Sequence, residues 1–310
     1  MEISPQTVAV VTGGSSGIGR ETVLAFLREG ASVVTGARAS EALAKLQTEH
    51  GASGRLVTVE GDVADSYTAD RLVAAAVARF GRLDVWVNNA AVMSFGSFLE
   101  TPEDAWRRII EVNLLGYANG ARAALAQFKR QGYGILVNVS SVLGKTSAPD
   151  MSAYVASKFG IQGLGEVLRT ELLDEPNIAV CHVLPGGVNT ALYRHCANFA
   201  GRNLRPMYPL QNADAVAKAI LKSVRRPRRE RWCGRTGRLQ IIGHYVSPPL
   251  YERLVGLLFP RIIFGRAEVP RTSGNLFEPA GGPRPAMKPR ERVVWKADSV
   301  AEEERVSQSH

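Results

Sequence analysis

The chain has 310 residues, 45% of them hydrophobic, and carries 38 Lys and Arg against 29 Asp and Glu for a formal net charge of +9. That length and apolar content suffice for one large core of the kind built by open α/β sheets of roughly 200–250 residues, and no apolar run reaches the roughly 20 residues that cross a bilayer. Cys181, Cys196 and Cys233 and the five scattered histidines have neither disulfide nor metal-ligand spacing, so a reducing compartment and no metal are expected.

In chain order, short apolar runs rich in β-branched residues predict strands at 8–11, 32–35, 56–59, 85–88, 135–139, 178–184 and 239–242. Helical patterns follow the first run through Glu29 and recur at 66–80, 103–128, 153–173 and 213–224. Thr101-Pro102 marks the start of the helix at 103, with a capping hydroxyl and a proline in the first turn. The alternation predicts an α/β fold, a doubly wound parallel sheet with helices on both faces, whose ligands bind outside the carboxyl ends of the strands. No secretory segment precedes the first strand, so a cytoplasmic location is expected.

The chemistry-bearing residues fall at those strand ends. Thr7-Val-Ala-Val-Val-Thr12 runs into Gly13-Gly14-Ser15-Ser16-Gly17-Ile18-Gly19 and then a helical pattern, the strand, glycine turn and helix that a pyrophosphate site requires. Asn88-Asn89-Ala90-Ala91 follows the fourth strand, Asn113 lies in a helix, Ser141 closes the fifth strand, and Pro185-Gly186-Gly187-Val188-Asn189-Thr190 follows the sixth. Thirteen residues after Ser141 stands Tyr154, with Lys158 four residues further on the same helical face. A free phenol titrates near 10 and is a poor catalyst at neutral pH; a cation within about 4–6 Å favours the phenolate and makes it usable as a proton donor and acceptor.

From about Thr7 to about Ile242 the chain resembles the short-chain dehydrogenase/reductase family, on five motifs at that family's spacing. The resemblance implies a Rossmann-like fold and a catalytic set in which Ser141 polarises the substrate carbonyl and Tyr154 passes the proton. Lys158 would hold the nicotinamide ribose and lower the tyrosine pKa, and Asn113 would anchor a relay water. It further implies cofactor contacts from Gly13, Ser15, Ser16, Gly17, Ile18, Gly19, Asp62, Val63, Asn89, Ala90, Pro185, Gly186 and Val188, with Thr190 on the carboxamide, and a homo-oligomer. Ala91 departs from the family, which has glycine there.

Cofactor choice is read at the end of the second strand. An acid there would accept from the adenosine ribose and repel a 2′-phosphate; Ala37 stands in its place and Arg38 follows. A guanidinium suits paired hydrogen bonds to phosphate, so NADP(H) is expected over NAD(H). Asp62 reads either as an adenine contact or as a helix cap.

Residues 225–238 hold Arg225, Arg226, Arg228, Arg229, Arg231, Arg235 and Arg238 against Glu230 alone. Pro227, Trp232 and two glycines break the run, so a solvated loop is expected and nucleic acid is not the expected partner. Large apolar residues beside arginines at 250–264 predict either a helix packed over the substrate cleft or an interfacial helix on a lipid headgroup layer. From Thr272 the composition turns to Gly, Pro and charge and predicts a disordered tail. The expected organisation is a catalytic domain at 1–245, an apolar segment at 246–271 and a tail at 272–310. Leu192, Tyr193, Phe199, Leu204, Met207 and Tyr208, in the loop after Thr190, together with residues 142–151, either suit an apolar ligand or pack a lid. The expected function is NADP(H)-dependent interconversion of a carbonyl and a secondary alcohol on a small molecule. The alternatives are a peripheral membrane enzyme with a lipid-like substrate and a catalytically silent NADP-sensing protein.

Overall fold

The computed structural model describes residues 1–190, 192–205, 210–234 and 236–279. Seven parallel strands form the central sheet: β1 (Val8–Thr12), β2 (Ser32–Ala37), β3 (Leu56–Glu60), β4 (Val85–Asn88), β5 (Gly134–Val139), β6 (Ile178–Leu184) and β7 (Glu230–Trp232). Their order is β7-β6-β5-β4-β1-β2-β3, so the strand order reverses between β1 and β4. The helices are α1 (Gly17–Arg28), α2 (Ser40–His50), α3 (Ser66–Phe80), α4 (Glu103–Ile110), α5 (Gly116–Gln131), α6 (Ser152–Glu171), α7 (Leu192–His195), α8 (Ala213–Arg225), α9 (Thr236–Val246) and α10 (Pro248–Ile263).

Side chains of a strand alternate between faces, and both faces here are covered. Ala9, Val11, Val33, Val87, Val137 and Val183 pack with Phe26 of α1 and Val216 and Ile220 of α8. Val10, Val34, Trp86, Leu136 and Val180 pack on the other face with Leu72 and Ala76 of α3 and Ala124 and Phe128 of α5. Full burial contributes about 1.5–3 kcal/mol for each large apolar side chain, so the continuous apolar runs of the central strands are what this three-layer arrangement demands.

Five expectations are corrected. The seventh strand is not at 239–242, which lies in α9: Leu239 is 69% exposed while Ile241 is 4% exposed, although a strand would put both on one face. The strand is β7, inside the arginine run, pairing Glu230, Arg231 and Trp232 with His182, Val183 and Leu184. The run is thus more than a solvated loop: Glu230 pairs with Lys145 at 2.6 Å, Arg225 with Glu29 at 2.6 Å, and Arg231 Nε donates to Ser223 Oγ at 3.0 Å. The helix expected over 103–128 is broken by a π turn, Glu111–Leu115, between α4 and α5. Thr101 does not cap α4; its hydroxyl donates to Ser97 O at 2.9 Å and Pro102 takes the cap position.

The fifth correction concerns the C-terminus. Phe264–Glu268 pairs antiparallel with Arg202–Leu204, Thr272 exchanges backbone hydrogen bonds with Asn198, and Leu276 is fully buried, so residues 272–279 are ordered against the domain. Residues 280–310 lie outside the described residues. α10 lies over the cleft: Tyr251 OH donates to Ser147 O at 3.3 Å, and Phe259 and Ile263 join the buried cluster of Met93, Tyr193 and Leu204.

Candidate active site

A cavity of about 880 Å³ runs along the carboxyl ends of the strands, from Arg38 and Asp62 after β2 and β3, past the glycine turn and Asn89, to Ser141 and Pro185 after β5 and β6. Its wall includes Ser15, Ser16, Gly17, Ile18, Gly19, Val63, Ala90, Tyr154, Lys158, Gly186, Val188 and Thr190 as well as Gly13. Of the catalytic and cofactor-binding residues expected from sequence, Asn113 alone stands behind the wall.

The glycine turn is closed to side chains. A Cβ at Gly13, whose φ is +70°, would stand 2.8 Å from Ala90 Cα, and one at Gly19 would stand 2.1 Å from Gly13 O. Bare backbone at the N-terminus of α1 is thereby left facing the cavity, a site for an anion. Asn89 braces the turn from β4, donating from Nδ2 to Thr12 O at 2.9 Å, while Thr12 Oγ1 accepts from Asn89 N and Ala90 N at 2.9 and 3.1 Å.

After β3, Asp62 lines the cavity and is not the cap of a helix. It accepts from Ala64 N at 3.0 Å, a turn-capping role, and pairs with Arg108. Arg108, on α4, carried no sequence signal beyond its charge. The cap of α3 itself is Asp65, which accepts from Tyr67 N at 3.0 Å.

Ser141 caps the short 3-10 turn Val142–Gly144 by accepting from Leu143 N at 3.1 Å, which points its hydroxyl toward Tyr154. Tyr154 is half-buried, and Lys158, one turn on, is almost fully buried with Nζ 5.5 Å from the Tyr154 ring centre. Lys158 Nζ donates to Val139 O at 3.0 Å and to Tyr117 OH at 3.5 Å. The expectation that Lys158 pulls the phenol down is not met in this arrangement. Burial pushes Tyr154 up to about 12, against a hydrogen bond with Ser141 that lowers it, and burial pushes Lys158 down to about 7. No counter-charge offsets the lost hydration of either charged form, so desolvation decides the direction of both shifts.

Asn113 is saturated. Its Oδ1 accepts from Val92 N at 2.9 Å, and its Nδ2 donates to Val92 O at 2.9 Å and Ser157 Oγ at 3.2 Å. The π turn sets it between the loop after β4 and α6, a placement such turns often serve at functional sites. Tyr193 and Leu204 are buried in the cluster beneath α10, while Phe199 packs with Val92 and Ile109; Met207 and Tyr208 lie outside the described residues. Tyr251, Leu254, Val255 and Phe259 of α10 face Ser141 and Tyr154 across the cavity. No sequence motif marks them; their signal is the apolar content of the segment.

A family model for short chain dehydrogenases matches residues 7–199. The chain is 32% identical over 281 residues, 88% of its length and 77% of the relative's, to an uncharacterized oxidoreductase, YxnA, of Bacillus subtilis (strain 168). It resembles in fold a short chain dehydrogenase/reductase of Burkholderia phymatum in complex with NAD, with TM-score 0.72 at 24% identity over 81% of this chain and 96% of that one. A short chain dehydrogenase of Burkholderia cenocepacia J2315 in complex with NADP gives TM-score 0.70 at 26% identity, covering 82% of this chain and 99% of that one. Because the match spans six of the seven sheet strands and the tyrosine helix, and the strand order turns where the glycine loop sits, this chain belongs to the short-chain dehydrogenase/reductase family of nicotinamide-dependent oxidoreductases.

Proposed function

We propose that the protein interconverts an apolar ketone and its secondary alcohol, with NADP(H) preferred. The observation that carries this reading is the Tyr154 phenol, joined to Ser141 with Lys158 one turn away, in a cavity whose opposite wall is the apolar side of α10. When bound, the nicotinamide supplies or accepts the hydride. Ser141 orients the substrate oxygen through its hydroxyl; Tyr154 gives that oxygen a proton in reduction and takes it back in oxidation. Lys158 spends two N–H groups on Val139 and Tyr117, and the third suits a ribose hydroxyl. The glycine turn fits the pyrophosphate, Thr190 and Gly186 the carboxamide end, and Arg38 beside Ala37 a 2′-phosphate. With its side chain committed to Val92 and Ser157, Asn113 would hold a relay water through its main-chain carbonyl. A panel of apolar ketones followed by nicotinamide absorbance with both cofactors tests the reading. Ketone-dependent NADPH consumption, faster than with NADH, is expected; no consumption with any ketone and either cofactor would remove it.

A second reading places the same enzyme at a membrane surface with a lipid-like substrate. Leu250, Leu254, Leu257, Leu258 and Ile262 on α10 are each about half exposed, beside exposed Arg253 and Arg261. Leu254, Leu258 and Ile262 also line the cavity, so the apolar surface is continuous with its mouth. Among the described residues no helix is long and apolar enough to cross a membrane, so contact would be peripheral. A cytoplasmic homo-oligomer remains the proposal for its general setting, by family resemblance. The silent sensor has no observation in its favour, since Ser141, Tyr154 and Lys158 all reach the cavity.

A further inference from the structure

Arg38, on which the cofactor reading depends, is not a free side chain. Its Nη1 donates to the carbonyls of Leu276 at 2.9 Å and Phe277 at 3.0 Å, and its Nη2 to that of Asn275 at 2.5 Å. A guanidinium has five N–H donors. Three are spent on three successive carbonyls, which leaves the Nε–H and one Nη2–H for something else.

The segment that does this is itself built in. Leu276 is fully buried among Val92, Ala105, Ile109 and Val112, and its carbonyl also accepts from Arg108 Nε at 3.0 Å. Arg108 in turn pairs with Asp62, so the strap reaches both charged groups at the adenosine end of the cavity. Upstream, Asn275 N donates to His195 O at 2.7 Å, and Thr272 pairs with Asn198. Gly274 makes the turn between them at φ +53°, where a Cβ would stand 2.3 Å from His195 O. Asn275 lines the cavity, and its Oδ1 is buried with no donor among the described residues, an acceptor that a ligand hydroxyl or amino group would satisfy.

We propose that residues 272–277 form a strap that belongs to the cofactor site and sets selectivity for the 2′-phosphate by positioning Arg38. An arginine free in water loses rotamer freedom when it grips a phosphate; one already held on three carbonyls does not, and presents its two remaining donors in place. The strap therefore strengthens NADP(H) binding and has little bearing on NAD(H), which lacks the 2′-phosphate that Arg38 would grip. Asn275 and Leu276 are positioning residues, acting through Arg38. The proposal rests on the reading that Arg38 faces the 2′-phosphate.

The test is titration of NADPH and NADH into the full-length protein and its Leu276→Asp, Leu276→Ala, Gly274→Val and Arg38→Ala variants. The strap variants should bind NADPH about tenfold or more weakly, the loss of roughly one charge-assisted contact, with NADH affinity nearly unmoved. In an Arg38→Ala background, Leu276→Ala should cost NADPH nothing further. Equal weakening of both cofactors would overturn the proposal, since it marks a merely structural segment. So would tighter NADPH binding in the strap variants, which would mean that the carbonyls compete with the phosphate for Arg38. If Arg38→Ala weakens NADPH while the strap variants do not, the strap is wrong and the cofactor reading stands. Arg38→Ala with unchanged NADPH affinity sinks the cofactor reading, and the strap with it.

Discussion

Tyr154 and Lys158 are withdrawn from water together, and burial moves them in opposite directions, the phenol up to about 12 and the ammonium down to about 7. A phenol held that high is protonated at neutral pH, so it is ready to give a proton in ketone reduction and must first lose one in alcohol oxidation. Oxidation should therefore gain with rising pH from about 7 to about 10 while reduction does not, read as kcat/KM profiles in the two directions. Tyr154→Phe should lower turnover at least about 10²-fold, the low end of acid-base contributions, with cofactor affinity retained in titration. Near-normal turnover in that variant, or a flat oxidation profile, would assign the proton to another group. His182, on β6, is a second withdrawn group: it is fully buried, both ring nitrogens lack partners among the described residues, and burial first, then Arg169 and Lys145, push it down to about 3. The unfolded chain protonates it below about 6.5 and the folded one does not until far lower, so stability falls as pH drops through that window, by about 1.4 kcal/mol per unit. Denaturant titrations from about pH 6.5 to about pH 4 should show a shallower decline in His182→Leu than in the wild type. Parallel declines would mean that His182 finds a partner or water in solution.

Among the elements, the π turn Glu111–Leu115 has the clearest consequence for the site. Asn113→Ala strips Val92 of partners on both its N–H and its carbonyl, and each buried orphan costs about 1–3 kcal/mol. Urea unfolding should register a loss of about 2–6 kcal/mol, and turnover should fall with it because α6 loses its tie through Ser157. An unchanged midpoint would make the turn incidental. Strands β1, β2, β4, β5 and β6 were legible in the chain because each is buried on both faces and so must be a continuous apolar run, while β3, a half-exposed edge strand, was legible because Leu56-Val-Thr-Val59 is β-branched and apolar all the same. β7 was not: it is an edge strand whose three residues are all half-exposed, so arginines serve there as well as valines. The run at 239–242 imitated a strand because Leu239 and Ile242 are apolar on an exposed helix face, which the hydrophobic pattern cannot tell from a buried one. Likewise the π turn adds one residue within a helical pattern, and the strap is six residues of turn-like composition whose order comes from Leu276 and from Arg38, more than two hundred residues away in sequence. The strand-end wall of the cavity was legible motif by motif, whereas the α10 wall showed only as apolar content. What holds Arg38, and the desolvation at Tyr154, depend on tertiary distances that no spacing encodes.

On the scale of the whole molecule, α10 presents two faces with different work to do. Tyr251, Val255 and Phe259, spaced four apart, face the cavity, while Leu250 and Leu257 stand outside its wall and are each about half exposed. Deleting the segment would also remove the strand at Phe264–Glu268 and the strap, so point substitutions separate the two faces more cleanly. Phe259→Ala should raise KM for an apolar ketone, because it removes contact area from the cavity. Leu250→Glu with Leu257→Glu leaves that wall intact and sets two acids on the outer face. If α10 docks on a membrane, wild type should float with anionic vesicles, the more weakly as salt rises, because attraction of Arg253 and Arg261 to lipid is screened within about 8–10 Å at physiological ionic strength. The outer-face variant should then stay in solution with its KM for a soluble ketone unchanged. Wild type that does not float at low salt would end the membrane reading while leaving α10 as the cover of the cleft. A Phe259→Ala enzyme with unaltered KM would instead mean that the substrate never reaches that wall.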